Sequence, residues 1–251
     1  MVAVPLSFET GGEDMTKVLL YSGGMDSWLI DKLWEPDIRL YIDIHGAYSA
    51  QEVARLPEGV TIADFPLLGQ FEQPDMFVPL RNLYFLMIAS HYGDRLCLGA
   101  TKGDGSKDKS GQFLCAMEDM LNYYWDDKKV SKRIGVERWF ANLTKGQLVR
   151  EYADRGGDIE RIRAETFSCY TPIDGRECGA CYPCFRKYAA LHANGLEYPE
   201  EYERRMWEFV KGQVIPTADE GGYDGTHYTE RECEGADLVA AVEYLRGRYG
   251  D

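Results

Sequence analysis

Short apolar runs alternate along the chain with stretches whose apolar residues recur every three or four positions. Runs of the first kind occupy 17–21 (KVLLY), 39–44 (RLYIDI), 60–65 (VTIADF), 95–99 (RLCLG) and 133–139, and they predict five strands. Helical spacing marks 26–34, 79–92, 113–125, 144–152 and 185–193. Pro79 stands where the second of these helices would begin, and the Thr144 hydroxyl is placed to cap the fourth. Strands alternating with helices imply βαβ units and a mostly parallel sheet. Short continuous apolar strands suit a sheet covered on both faces, with ligands beyond its carboxyl ends. After Gly195 the character changes, and two further helices are expected on either side of a Gly-rich loop. The predicted fold is α/β: a Rossmann-like, doubly wound, mostly parallel sheet with a cysteine knuckle and a helical C-terminal appendage.

Composition narrows the class. Hydrophobic residues make up 45% of the 251 residues and aromatics 13%, which excludes a disordered chain. The 28 Lys and Arg against 42 Asp and Glu give a net charge of -14, which argues against a broad nucleic-acid surface. Residues 195–251 carry 14 of the acidic and only 6 of the basic side chains. The preceding part is thus nearly balanced and can hold a small anion, while the acidic tail is a candidate surface for a protein partner. No apolar run reaches the roughly 18 residues of a membrane span, and the N-terminus lacks the features of a signal peptide. A cytoplasmic protein without membrane association is expected.

Two local patterns carry chemistry. Ser22-Gly23-Gly24-Met25-Asp26-Ser27 follows the first strand and opens a helix. Glycines let backbone approach a ligand, and the N–H groups at a helix start favour an anion. Ser22 and Ser27 add hydroxyls, and Asp26 is suited to Mg²⁺ or to orienting the loop. The second pattern is Cys169, Cys178, Cys181 and Cys184, with two-residue gaps between the last three. In a reducing compartment this clustering reads as metal binding. Four thiolates match a closed structural Zn²⁺ site. They also match an iron–sulfur cluster, although the further Cys-Pro of ferredoxins is absent. Cys97 and Cys115 lie in apolar runs and are expected to be buried; Cys233 has no evident role.

The SGGMDS string resembles the pyrophosphate loop of the ATP pyrophosphatase superfamily, whose adenine nucleotide alpha hydrolase-like fold agrees with the pattern above. Val78-Pro79-Leu80-Arg81-Asn82, Asn142-Leu143-Thr144-Lys145, Ser168-Cys169-Tyr170 and CGACYPCFRKYAAL resemble, in order, segments of the 7-cyano-7-deazaguanine synthase family. The resemblance covers residues 17–191. It implies ATP-dependent conversion of 7-carboxy-7-deazaguanine and ammonia to the nitrile, through adenylated carboxylate and amide. It implies that Ser22, Gly23, Gly24, Asp26 and Ser27 hold ATP and Mg²⁺. Lys145 and Asp26 are the implied catalytic residues; Arg81, Asn82, Asp104 and Asp108 are the implied substrate contacts. Arg186 is expected either to reach the site or to pair with an acidic side chain. A homodimer is also implied. The corresponding division is an N-terminal extension (1–16), a nucleotide-binding domain (17–160), a zinc segment with its helix (161–195) and the acidic appendage (196–251).

The chain departs from the family in two places. Family members usually carry a D-x-S-G-Y-P-D-C-R-like segment after the fourth strand, where this chain has TKGDGSKDKS at 101–110. Asp104 matches the first Asp, and Asp104 or Asp108 is left to meet the N–H donors of a guanine-like edge. The family's D-Y-G-Q is replaced by Asp43-Ile44-His45-Gly46-Ala47, with His45 not expected to be a base. The altered loop keeps a second reading open: an adenylating relative that stops at the amide, or that transfers the acyl group to another amine such as a protein in a defence or nucleic-acid modification pathway. A nucleotide-binding subunit without catalysis is the least favoured. Tyr223, His227 and Tyr228 in the tail are read as an ordinary loop.

Overall fold

The computed structural model describes residues 15–104, 106–127, 130–216 and 232–250. Tyr223, His227 and Tyr228 lie outside these. The elements run β1 (Lys17–Leu20), α1 (Met25–Trp34), β2 (Ile38–Asp43), α2 (Ser49–Val53), β3 (Val60–Asp64), α3 (Arg81–Ala89), β4 (Arg95–Cys97) and α4 (Gly111–Trp125). A small hairpin follows, β5 (Asp126–Asp127) with β6 (Val130–Ser131), and then β7 (Gly135–Val136). The remainder is helical: α5 (Lys145–Asp154), α6 (Ile159–Glu165), α7 (Tyr182–His192), α8 (Glu200–Phe209) and α9 (Glu232–Tyr249).

The main sheet has the order β3-β2-β1-β4-β7, and every pairing in it is parallel. Central β1 is buried on both sides, which its uninterrupted apolar sequence requires. Its side chains alternate. Leu19 and Tyr21 join a core with α1, α5 and α7, whereas Val18 and Leu20 join one with α3 and α4. The doubly wound α/β arrangement read from the sequence is therefore present. The two C-terminal helices are packed into the first of these cores: Met206, Trp207, Leu238, Ala241 and Leu245 are buried beside Leu148 and Leu191.

Three elements differ from the expected spans. Only Gly135 and Val136 of 133–139 pair with β4. Asn122 takes both backbone groups of Ile134, and the Glu137 carboxylate accepts from the N–H groups of Arg138 and Trp139. Side chains thus replace the ladder at both ends of that strand. The helix expected over 79–92 is confined to α3, because Leu80 adopts φ 61° and breaks the helical path after Pro79. Helix α7 begins before Phe185, with Pro183 in its first turn, where a missing N–H costs nothing. Cys97 is buried as expected, and burial pushes its thiol up to about 12. Cys115 is not buried. It lies on the outer face of α4, where its sulfur accepts from Arg138 Nη1 at 3.0 Å.

Thr144 caps α5 as the sequence suggests. Its hydroxyl accepts from Gln147 N at 3.2 Å, and Gln147 Oε1 accepts from Thr144 N at 2.9 Å. Replacing Thr144 with alanine should cost about 1 kcal/mol, lowering Tm by about 2–4 °C in a chain of this size. An unchanged thermal melt would show that this reciprocal cap contributes nothing.

Candidate active site

A cleft of about 620 Å³ opens beyond the carboxyl ends of β1 and β2. The glycine turn forms its floor. Gly23 sits at φ +75°, a conformation that a side-chain-bearing residue adopts only with strain. This turn delivers the chain into α1, whose N-cap Gly24 supplies no capping side chain. Met25, Asp26 and Ser27 then line the cleft with the positive end of the helix. Ser27 is buried, and its hydroxyl donates to Gly24 O at 3.1 Å. The Ser22 hydroxyl lies 3.4 Å from that of Ser27. The two serines therefore brace the turn as well as bordering it.

Lys145 reaches this turn from the start of α5. It is buried, its ammonium pairs directly with Asp26 Oδ2, and it lies 3.7 Å from Asp104 Oδ1. The other Asp26 oxygen, Oδ1, is buried with no hydrogen-bond partner among the described residues. Asp104 gathers three cations: Lys145, Lys109 at 3.2 Å and Arg186 at 3.2 Å. Its Oδ2 also accepts from Thr101 N at 3.1 Å. Burial alone would raise the Asp104 carboxyl, but these cations outweigh it and hold the group well below the usual carboxylate range. Arg186, read from sequence as either a site residue or an ion-pair partner, is both: it lines the cleft and pairs there with Asp104.

The implied substrate contacts divide into two groups. Asn82 is buried and donates through Nδ2 to Asp108 Oδ2 at 2.8 Å; Ser106 donates to the other oxygen of Asp108. Arg81 lines the cleft with its guanidinium carbon 5.8 Å from the centre of the Phe85 ring. Asp104 instead belongs to the Lys145 cluster. His45 takes φ 57° and pairs with Asp64 at 2.7 Å, on an exposed edge.

The cysteines lie beside the glycine turn. All four sulfurs fall within 4.8 Å of one another, and Cys178 and Cys184 are 3.9 Å apart. Four metal–sulfur bonds of ~2.3 Å in a tetrahedron place sulfurs ~3.8 Å apart. In a four-iron cluster each thiolate binds its own iron, which spreads them further. The convergence fits one ion.

Phe167 and Glu177, which no sequence motif marks, and Ser168 and Lys187, which appear there only inside motifs, connect this knuckle to the loop. Phe167 N donates to Gly23 O at 3.3 Å, and Met25 N donates to Ser168 Oγ at 3.4 Å. Ser168 N donates to Glu177 at 2.6 Å, and Glu177 pairs with the fully buried Lys187 at 2.9 Å. Burial lowers the Lys187 pKa, and Glu177 partly offsets that effect. The signal for Lys187 was its place on the α7 stripe with Cys184, Tyr188 and Leu191, which is buried throughout. Tyr48 stacks on Tyr170 at 5.2 Å at the cleft wall, a pair no local pattern announces.

A family model described as Queuosine biosynthesis protein QueC matches residues 51–195, more than half of the chain. The chain belongs to this family. A relative named 7-cyano-7-deazaguanine synthase from Chlorobaculum tepidum is 26% identical over 230 residues, covering 76% of this chain and 98% of the relative. Another of that name, from Citrifermentans bemidjiense, is 29% identical over 141 residues, 53% of this chain and 61% of its own. A third, from Stutzerimonas stutzeri, is 31% identical over 150 residues, 57% of this chain and 65% of its own. The chain thus spans under two thirds of two of these relatives and nearly all of the other. The family description and the relatives' names are those of biosynthetic enzymes. The knuckle, Lys145, Asp104 and α7 fall inside the family match; the glycine turn precedes it. Among the described residues no helix is long and apolar enough to cross a membrane.

Proposed function

We propose that the chain is a 7-cyano-7-deazaguanine synthase that consumes ATP and ammonia. The observation that carries this reading is the convergence of Lys145, Asp26 and the start of α1, whose N-cap Gly24 brings no capping side chain, in one cleft, in a member of the QueC family. A carboxylate is a poor acyl donor because its leaving oxide is too basic. In the proposed course a carboxylate oxygen of 7-carboxy-7-deazaguanine attacks the α-phosphorus of ATP, and the bond to the β-phosphate breaks. Pyrophosphate departs along the glycine turn, where the N–H groups of α1 and the Lys145 ammonium meet its charge. Ammonia adds to the acyl adenylate, loses a proton, and AMP leaves with the first oxygen to give the amide. A second ATP adenylates the amide oxygen. Loss of AMP with that oxygen, and of the remaining protons on nitrogen, leaves the nitrile. Both substrate oxygens thus end in AMP.

Asp26 Oδ1, buried without a donor among the described residues, fits a hard cation, and Mg²⁺ would be held there. Mg²⁺ supplies charge neutralisation at the phosphates. The knuckle fits Zn²⁺ with four thiolates and no open position, a structural role. Arg81 and Asn82, which line the cleft, are assigned to the planar substrate; Asp108, outside the lining, orients the Asn82 amide. Lys109 and Arg186, paired with Asp104, leave one net positive charge at the cleft, which suits an anionic nucleotide.

The test is incubation of the full chain with ATP, ammonium and 7-carboxy-7-deazaguanine, with products resolved by mass. The nitrile, with AMP and pyrophosphate, is expected. Accumulation of the amide alone would favour the relative that stops one step earlier, a reading prompted by the altered 101–110 loop. Absence of both products would overturn the proposal.

A further inference from the structure

The acidic C-terminal segment has no place in the reaction just described and lies beyond the family match at residue 195. Yet α9 packs on α7, α8 and α5, with Ala241 and Leu245 completely buried and the Tyr244 ring 4.2 Å from that of His192. Its Asp237 side chain meets the first turn of α5. A β-carbon at Gly146 would lie 2.1 Å from Asp237 Oδ2 and 3.0 Å from its carboxyl carbon. Gly146 is an ordinary helical residue, with no left-handed backbone to justify glycine. Glycine is disfavoured against alanine in a helix, so what the position requires is the close approach of this carboxylate. On its other side Gly146 O accepts from Asn194 Nδ2 at 3.0 Å, and the same amide donates to Ala190 O at 2.8 Å. The first turn of α5 is therefore held between the end of α7 and α9. A carboxylate there also interacts favourably with the positive end of α5.

The neighbour of Gly146 is Lys145, which spans from this turn to Asp26, Thr101 and Asp104. We infer that Asp237 is a positioning residue for Lys145, and that α9 belongs to the working active site. The carboxylate fixes the height of the α5 first turn, and through it the reach of the Lys145 ammonium across the phosphate-binding turn. This rests on the proposed reading only for its catalytic consequence; the placement of Lys145 is a separate claim.

The experiment compares the full chain with Asp237→Asn, Asp237→Glu and Gly146→Ala, the last displacing the carboxylate by a methyl group. Two readouts are taken: trace acetylation of Lys145 followed by mass spectrometry, and steady-state pyrophosphate release. In Asp237→Asn and Gly146→Ala, Lys145 should be acetylated several-fold faster, as its ion pairs loosen. The turnover number should fall about tenfold, the scale of a sub-ångström misplacement, with KM for ATP nearly unchanged. Asp237→Glu should recover most of both. Wild-type acetylation of Lys145 in both Asp237→Asn and Gly146→Ala would overturn the inference, as would equal loss in Asp237→Glu and Asp237→Asn. If one variant fails to fold, the other carries the test. Faster acetylation in variants of a protein that releases no pyrophosphate at all would sustain the inference and refute the proposed function.

Discussion

Replacing Lys145 with methionine is expected to lower ATP-dependent pyrophosphate release by ~100-fold or more, the usual cost of removing a preorganised charge from a reacting centre. The side chain is buried, spans 119 residues of sequence to reach Asp26, and enters the cluster around Asp104. Negative charge develops on the leaving pyrophosphate, so a fixed ammonium stabilises the transition state more than the ground state. Methionine keeps the length and apolar contacts while removing the charge. The cost to folding should be moderate, since Arg186 and Lys109 still face Asp104. KM for ATP should change far less than the turnover number, because the glycine turn keeps its N–H groups. Turnover within threefold of wild type would remove Lys145 from the chemistry.

The second large effect is expected at the knuckle. The protein as purified should contain one equivalent of zinc, and Cys181→Ala should lose it. Cys181 is the N-cap of α7, the helix that also carries Cys184, Arg186 and Lys187. Three remaining thiols cannot close a four-coordinate site. The metal's free energy is largely folding free energy, so its loss should cost several kcal/mol. That corresponds to a fall in Tm on the order of 10 °C. The damage should spread to the glycine turn, because Phe167 and Ser168, just before Cys169, are bonded to Gly23 and Met25. Cys115→Ser is the control: that thiol is exposed and lies outside the cluster. A metal-free wild-type protein, or a Cys181→Ala variant with an unaltered melt, would contradict the structural assignment.

The reach of the sequence follows from which interactions are local. A strand, two glycines and a helix start are contiguous, so the position of the turn that opens α1 at the cleft is legible directly. So could the cap at Thr144, whose partner Gln147 is three residues away. Continuous apolar runs mark β1, β2 and β4, where burial leaves little choice of residue; β3 follows the same pattern although none of its residues is fully buried. The fifth strand is shorter than its apolar run because its ends are held by Asn122 and Glu137 side chains, which no pattern in 133–139 records. Asp104 illustrates the same limit within the site. Its identity pointed to substrate recognition, whereas its environment depends on Lys145 and Arg186, both distant in sequence. Cys115 is exposed despite its apolar run because an amphipathic helix carries some apolar residues on its outer face, and only packing decides which. The acidic tail looked separable by composition, yet the apolar stripe Leu238, Ala241 and Leu245 is buried against α5 and α7.

The central claim is that the cleft transfers AMP to the oxygen of a carboxylate and not a phosphoryl group to water. Substrate labelled with ¹⁸O in its carboxylate tests this most directly, with the AMP recovered and weighed by mass spectrometry. Label in AMP, accompanied by pyrophosphate, is predicted, with both carboxylate oxygens accounted for when the nitrile is reached. Unlabelled AMP, or ADP and phosphate in place of AMP and pyrophosphate, would contradict it.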